Sequence, residues 1–532
     1  MSKYFLGVDV GTGSARAGLF DASGAMLGTG KRDIAMWREA GGIVEQSSTD
    51  IWNAVCESVR EAVAKAGVAP HDIIGIGYDA TCSLVVLGEG GKPLAVGPSA
   101  DPQRDIIVWM DHRATEQASR INATGAEVLR YVGGTISPEM ETPKLLWLKE
   151  NRPETFASAW QFFDLTDFLT WKSSGSLVRS ACTVTCKWTY LSHEQRWDDS
   201  YFRLIGLDEL ADEGFARIGT DIQPGGASIG GLTAEAAADL GLAPGTAVAV
   251  GLIDAHAGGI GTVGAAGDAG DVLSRMAYVF GTSACTMTTT REPVFVDGVW
   301  GPYYNAMVPG VWLNEGGQSA AGAAIERLIR MHPRAAEAET EAKSNGQGLA
   351  DMLAALVEKK GGSAAVADIV GRVHVVPEFL GNRAPFADPE ARAIIAGLDL
   401  DDDVDSLVSL YLAGLCGLGY GARQIVNAQA AKGIVTDTIV VSGGATRSAL
   451  VRQMLSDATG LTIAASVSPE PVLLGSAMLG AAAAGAFHDL GEAMRAMSAL
   501  GEVHEPNPAT RDWHEARFKA FELLQETGRK IG

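Results

Sequence analysis

At 532 residues, 47% hydrophobic and 20% charged, the chain is long enough for large buried cores and too long for a single one of ordinary size, so two or more domains are expected. A formal charge of −22 argues against a nucleic-acid or anionic-membrane surface, because phosphate binding there is driven by Lys and Arg releasing counterions. Six scattered cysteines (Cys56, Cys82, Cys182, Cys186, Cys285 and Cys416) are too few for a disulfide framework and imply a reduced cytosolic protein.

The N-terminus has no basic stretch followed by an apolar core, so no targeting segment is expected there. Residues 4–10 read as a strand, and GVDVGTGSARAGLF at 7–20 as strand, glycine turn, strand. A P-loop needs a lysine after its last glycine, and none occurs between Lys3 and Lys31. The dinucleotide fingerprint needs a helix where this chain has a second strand. Such a hairpin presents backbone N–H groups and a hydroxyl to anionic oxygen, although taken alone it reads better as a plain hairpin turn.

Next come an amphipathic helix over 50–66 behind a Ser-Ser-Thr-Asp cap, strands over 73–78 and near 84–87, and helices over 113–123, 143–150 and 164–171. The fold class is α/β. CTVTC at 182–186 is β-branched, with no neighbouring His or second cysteine pair, so no zinc site is expected. The small-residue stretch AGGIGTVGAAGDAG at 257–270 has the composition of a hinge or linker. VFGTSACTMTT at 279–289 then repeats the opening motif, pointing to an internal duplication. The apolar runs 410–422 and 471–487 are rich in Gly and Ala and read as close-packed internal helices rather than membrane spans. A third glycine turn in VVSGGATRSAL at 440–450 leads a helix over 450–459, an arrangement suited to phosphate, base or ribose. Three donor-rich turns in an acidic chain suggest a nucleotide held between two similar lobes.

With these motifs in place, the chain resembles the FGGY carbohydrate kinases, of the superfamily of duplicated RNase H-like domains shared by sugar kinases, actin and Hsp70. The resemblance covers essentially the whole length. It is carried, in the family's order, by GVDVGTGSARAGLFD, VWMDHRA, TPKLLWLKEN, GLIDAHAG, VFGTSA, EGGQSAAGAAIERL, PEFLGNRAPFADPEARAIIAGL and SGGATRS. It implies two lobes flanking a central cleft, residues 1–262 with the sugar, the first phosphate clasp and the catalytic acid, and residues 263–532 with the second clasp and the adenosine.

The resemblance implies ATP and Mg²⁺ as cofactors. Asp9 corresponds to the acid that holds the metal through water, with Gly11, Thr12, Gly13, Ser14 and Arg16 at the phosphates and Gly281, Thr282 and Ser283 as the facing clasp. Gly322, Glu326, Gly443, Gly444 and Ser448 fall where the family binds the nucleoside, Glu326 and Ser448 standing where some relatives have Gln and Asn. Asp254 corresponds to the general base, for phosphoryl transfer needs a carboxylate within hydrogen-bond reach of the attacking hydroxyl. A helix N-cap is the competing role for it. His256, beside it, reads as a packed or capping neighbour and receives no role.

Thr81, Cys82 and Ser83 stand where glycerol kinases carry an Arg-Glu pair, leaving room for a longer polyol. Together with Asp111, His112, Lys187 and Glu315 they resemble the ribulokinase pattern, closest to the branch acting on D-ribulose. L-Ribulose, xylulose and other polyols are the alternatives. Thr81 and Ser83 as plain strand-end residues, and Lys187 as a snorkelling lysine beside Trp188, are the competing readings. An actin-like or Hsp70-like ATPase without a small substrate is the alternative of another class. Expected partners are a pentulose and ATP, with no nucleic acid or membrane; the family includes dimers, so a homodimer is an expectation, as is a cytoplasmic location.

Overall fold

The computed structural model describes residues 3–267, 270–444 and 448–531. In the first half, β1 (Tyr4–Val10), β2 (Ser14–Asp21) and β3 (Met26–Asp33) form an antiparallel meander. Next come α1 (Ser48–Ala66), opened by Ser47 accepting the Asp50 amide, and β4 (Ile73–Ala80), which lies parallel to β1 on its free side. After α2 (Ala181–Lys187), the strands β5 (Ser228–Gly231), β6 (Ala247–Ala249) and β7 (Leu252–Ile253) complete a seven-stranded sheet, ordered β5-β6-β4-β1-β2-β3 with β7 on β4. β1 is buried along its length, as expected of a central strand covered on both faces.

The chain then passes through α3 (Asp254–Val263) and repeats the plan. β8 (Arg275–Phe280) pairs antiparallel with β9 (Ala284–Thr290), beyond which β10 (Trp300–Tyr304) and β11 (Trp312–Gln318) extend the sheet. Past α4 (Gly322–Met331) and α5 (Val404–Ala430), β12 (Thr438–Ser442) lies parallel to β8, as β4 does to β1. Then α6 (Ala449–Thr459), β13 (Thr462–Ser466), α7 (Pro471–Ala483) and β14 (Leu500–His504) complete a second seven-stranded sheet, ordered β10-β11-β9-β8-β12-β13-β14. The same hairpin with a parallel neighbour heads both sheets, which is the expected duplication in an actin-like α/β fold.

The stretch expected to be a linker is instead largely structural. Residues 254–263 form α3, most of whose small residues are buried against α7; residues 268–269 lie outside the described residues. A Cβ on Gly475 would come within 2.0 Å of the Ala257 carbonyl, and one on Gly261 within 2.0 Å of the Pro471 carbonyl. α7 in turn lies on the first sheet, where a Cβ on Gly7 or Gly77 would sit 2.0 Å from the carbonyls of Leu473 and Ser476. The two halves thus exchange helices at the seam, with α3 packed on β8 and α7 on β1 and β4. Absent side chains, rather than a flexible tether, explain the glycines. α5 is by length and composition apolar enough to cross a bilayer, and 72% of that apolar window is buried inside the fold.

Candidate active site

The two glycine turns leave the carboxyl ends of β1 and β8, the edge of an α/β sheet where ligands bind. Each closes on itself through its first glycine: Gly11 N–H donates to Ser14 O at 3.1 Å, and Gly281 N–H to Ser283 O at 2.8 Å. The carbonyls are tied into the fold. Gln46 Nε2 and the Ile34 amide donate to Thr12 O and Gly13 O, and the amides of Ala321 and Gly322 to Thr282 O and Gly281 O. Among the described residues no acceptor faces the amides of Thr12, Gly13, Thr282 or Ser283. A Cβ on Gly11 or Gly281 would meet only its own turn, at 3.9 and 3.6 Å, so packing does not require those glycines. The arrangement suits anionic oxygen. Gly322 is different: a Cβ there would press to 2.7 Å from Gly281 O, so this residue supports the second turn.

Both turns line one cavity of about 490 Å³ between the halves, together with Asp9, Ser14, Arg16, Thr81, Cys82, Asp254, Lys187 and Glu315. Asp9 on β1 is in register with Arg16 on β2 and Asp79 on β4. Arg16 Nε donates to Asp9 Oδ2 at 2.8 Å, and Nη1 to Glu470 Oε2 at 2.8 Å. Asp79, fully buried against Ser476 Oγ, is pushed well above the usual carboxylate range by burial and by the Asp9 charge. These hard oxygen donors beside open amides fit a magnesium polyphosphate.

Asp254 opens α3, after Ile253 as cap, and its Oδ1 accepts the Ala255 amide at 2.7 Å. Burial and the Asp9 charge raise it to about 6, so it is a stronger base than a solvated carboxylate. Beyond it, Lys187 at the end of α2 lies with Nζ 5.0 Å from the centre of the Trp300 ring. Burial acts to lower the Lys187 ammonium, but the ionised Glu315 carboxylate opposes it and the group stays charged. Glu315 on β11 is held at about 2 despite burial, by a hydrogen bond from His256 and the charge of Lys187.

Other expected residues fall elsewhere. Gly443 and Gly444 line an adjoining cavity of about 510 Å³, which shares Arg16, Val279 and Val472 with the first. Ser448 caps α6 through the Val451 amide and lines neither cavity, and Glu326 is exposed beside Arg330 at 3.6 Å. Residues 445–447 of SGGATRS lie outside the described residues. Asp111, expected at the sugar, is fully buried, its carboxylate taken by Arg113 and the Val44 amide, so it braces the fold behind the cleft. His112 is exposed, 3.2 Å from Glu139, which does line the cavity. Ser83 is buried beneath it, its Oγ 3.3 Å from Thr81 Oγ1 and accepting the Trp109 amide.

Sequence reasoning missed Trp109, whose Nε1 donates to Thr12 Oγ1 at 3.0 Å, and Glu139, Trp300 and Arg383 on the cavity wall. Trp109 and Arg383 lie inside quoted motifs and could have been singled out there, whereas Trp300 carries no local signal. His256 is also more than a packing neighbour: its Nδ1 lies 2.9 Å from Cys182 Sγ and its Nε2 3.3 Å from Glu315 Oε2. CTVTC forms helix α2, which puts Cys182 and Cys186 one turn apart on one face. Together with His256 their ligand atoms lie within 4.8 Å of one another, so the sequence-based exclusion of a nearby His does not hold. This soft donor set suits a thiophilic metal and not magnesium.

A duplicated α/β fold with facing glycine turns and a carboxylate at the crease suits phosphoryl transfer from a nucleotide. Residues 4–261 match the FGGY family of carbohydrate kinases, N-terminal domain, and residues 276–484 its C-terminal domain. The chain belongs to that family. It is 44% identical over 533 residues to the FGGY carbohydrate kinase domain-containing protein of Homo sapiens, covering 98% of this chain and 96% of the relative. It is 38% identical to a D-ribulokinase of Saccharomyces cerevisiae, over 91% of this chain and 72% of the relative. In fold it is similar to xylulose kinase from Rhodospirillum rubrum, with a TM-score of 0.81 at 21% identity and 99% of each chain covered.

Proposed function

We propose that the protein transfers the γ-phosphate of ATP to the 5-hydroxyl of D-ribulose. The observation that carries this reading is that one cavity is lined by both glycine turns, by Asp254, and by Lys187 and Glu315. Its volume of about 490 Å³ suits a small polyol with a polyphosphate tail. The likeness to a yeast D-ribulokinase favours D-ribulose over L-ribulose, xylulose and other polyols.

In this reading the amides of Thr12, Gly13, Thr282 and Ser283 receive the phosphoryl oxygens, and Gly443 and Gly444 border the adenosine. Mg²⁺, held at Asp9 through water, supplies charge neutralisation on the phosphates when bound. Asp254 takes the proton of the attacking hydroxyl, while Lys187 donates to the polyol and Glu315 accepts from it. The six free cysteines support a reducing, cytoplasmic location as part of the same proposal.

A coupled ADP-release assay with D-ribulose, L-ribulose, D-xylulose and glycerol tests the function. D-Ribulose is expected to give the highest kcat/KM. ADP release that ignores every polyol would instead make the protein an ATPase without a sugar substrate.

A further inference from the structure

We propose that His256 is a positioning residue of the sugar site, holding Glu315 in place through a buried relay that runs from Cys182 through His256 to Glu315. The inference rests on the reading above in which Glu315 grips the polyol. Cys182, His256 and Glu315 come from α2, α3 and β11, and are 0%, 1% and 6% exposed. The His256–Glu315 bond joins the two halves across the seam.

A carboxylate buried at a cleft wall needs a donor to fix its rotamer. Lys187 and Arg383 lend charge from a distance, but among the described residues His256 is the one hydrogen-bond partner of the Glu315 carboxylate. The relay secures that donor whichever way its shared proton sits. If the thiol keeps its proton, S–H donates to Nδ1 and the ring is the Nε2–H tautomer. If the proton moves to the ring, Nδ1–H donates to the thiolate, which also accepts the Ile253 amide at 3.4 Å. In both cases Nε2–H donates to Glu315 Oε2, and Glu315 Oε1, with no protein hydrogen bond among the described residues, remains for a substrate hydroxyl. Burial opposes a Cys182 thiolate, but the Cys186 and His256 hydrogen bonds bring it to about 5, while the same pairing lifts His256 to about 10 against burial. Internal pairing of this kind also accounts for the cluster without a metal.

The test is a double-mutant cycle on polyol kinetics with His256→Leu, Glu315→Gln and the pair. Each single change is expected to raise the polyol KM about tenfold with the ATP KM little altered. The pair should be no worse than Glu315→Gln alone, and His256→Gln, which keeps a donor, should retain most of the wild-type KM. Losses that add, or that fall equally on both substrates, would overturn the relay. A wild type inactive on every polyol sinks the kinase reading instead, and the relay is then decided by NMR of the ¹⁵N-histidine-labelled chain. A slowly exchanging ring N–H that disappears in His256→Gln and shifts in Glu315→Gln is expected; indifference to Glu315→Gln overturns it. So does one equivalent of Zn²⁺ taken up by the wild type and lost in Cys186→Ser, which would make the cluster a metal centre.

Discussion

Arg16 and Glu470 join the two halves across the cleft, Nη1 of the one donating to Oε2 of the other at 2.8 Å. Arg16 lines both adjoining cavities, so the cation expected at the phosphates is here held by protein carboxylates. An arriving polyphosphate competes with Glu470 for it. Both side chains are 31% exposed, so solvent screening limits the pair. It is worth at most about 1 kcal/mol. Glu470→Gln is therefore expected to tighten nucleotide binding by up to about fivefold. Calorimetric titration measures this, and unchanged or weaker affinity would mean that Glu470 does not compete.

The seam between α3 and α7 tolerates no side chain at its closest approach. In Gly475→Ala the new methyl would stand 2.0 Å from the Ala257 carbonyl, a backbone atom that a rotamer change cannot move. Overpacking of this kind costs about 1–3 kcal/mol. A lower urea midpoint for Gly475→Ala is the expected result, and an unchanged midpoint would show that the helices separate freely.

Much of this site was legible because the turns announce themselves: β-branched strands around Gly-Thr-Gly and Gly-Thr-Ser fix two hairpins locally. Their facing across a cleft follows from the repeat. The misses have physical causes. CTVTC is β-branched and no His is near it in sequence, yet Ser180 caps it as a helix by accepting the Cys182 amide at 3.2 Å, and the fold brings His256 to both cysteines from 70 or more residues away. Small residues at 257–263 looked like a hinge because composition cannot tell a flexible backbone from one pressed against another. Asp111 carries the charge of a site residue, but whether Arg113 consumes that charge depends on the folded geometry. His256 and Glu315 are 59 residues apart in different halves, and no spacing rule links them.

Lys187 separates sugar binding from nucleotide binding. Its ammonium lies over Trp300, in the cavity that Glu315 also lines. A charged donor lost from a bound hydroxyl costs about 1.5–3 kcal/mol. Lys187→Met, which keeps the apolar stem on Trp300, is expected to raise the polyol KM by about tenfold to a hundredfold and leave the ATP KM nearly unchanged. Equal effects on both constants would remove Lys187 from the polyol end.

Asp254 sets the acid limb of the rate profile. Its folded pKa is raised to about 6, by burial first and then by the Asp9 charge, and the general base must be ionised. Below that pH the active fraction falls with each added proton, so kcat/KM should drop about tenfold per pH unit and level off above it. Asp254→Asn cannot accept the proton and is expected to lose about a hundredfold or more in kcat. Nucleotide affinity should hold or rise, since a negative charge near the phosphates is gone. Asp79 is also raised, by burial and by Asp9, and is the rival titrating group. Asp79→Asn separates the two: the limb near pH 6 persists in that variant if Asp254 is the base, and its disappearance there would transfer the titration to Asp79.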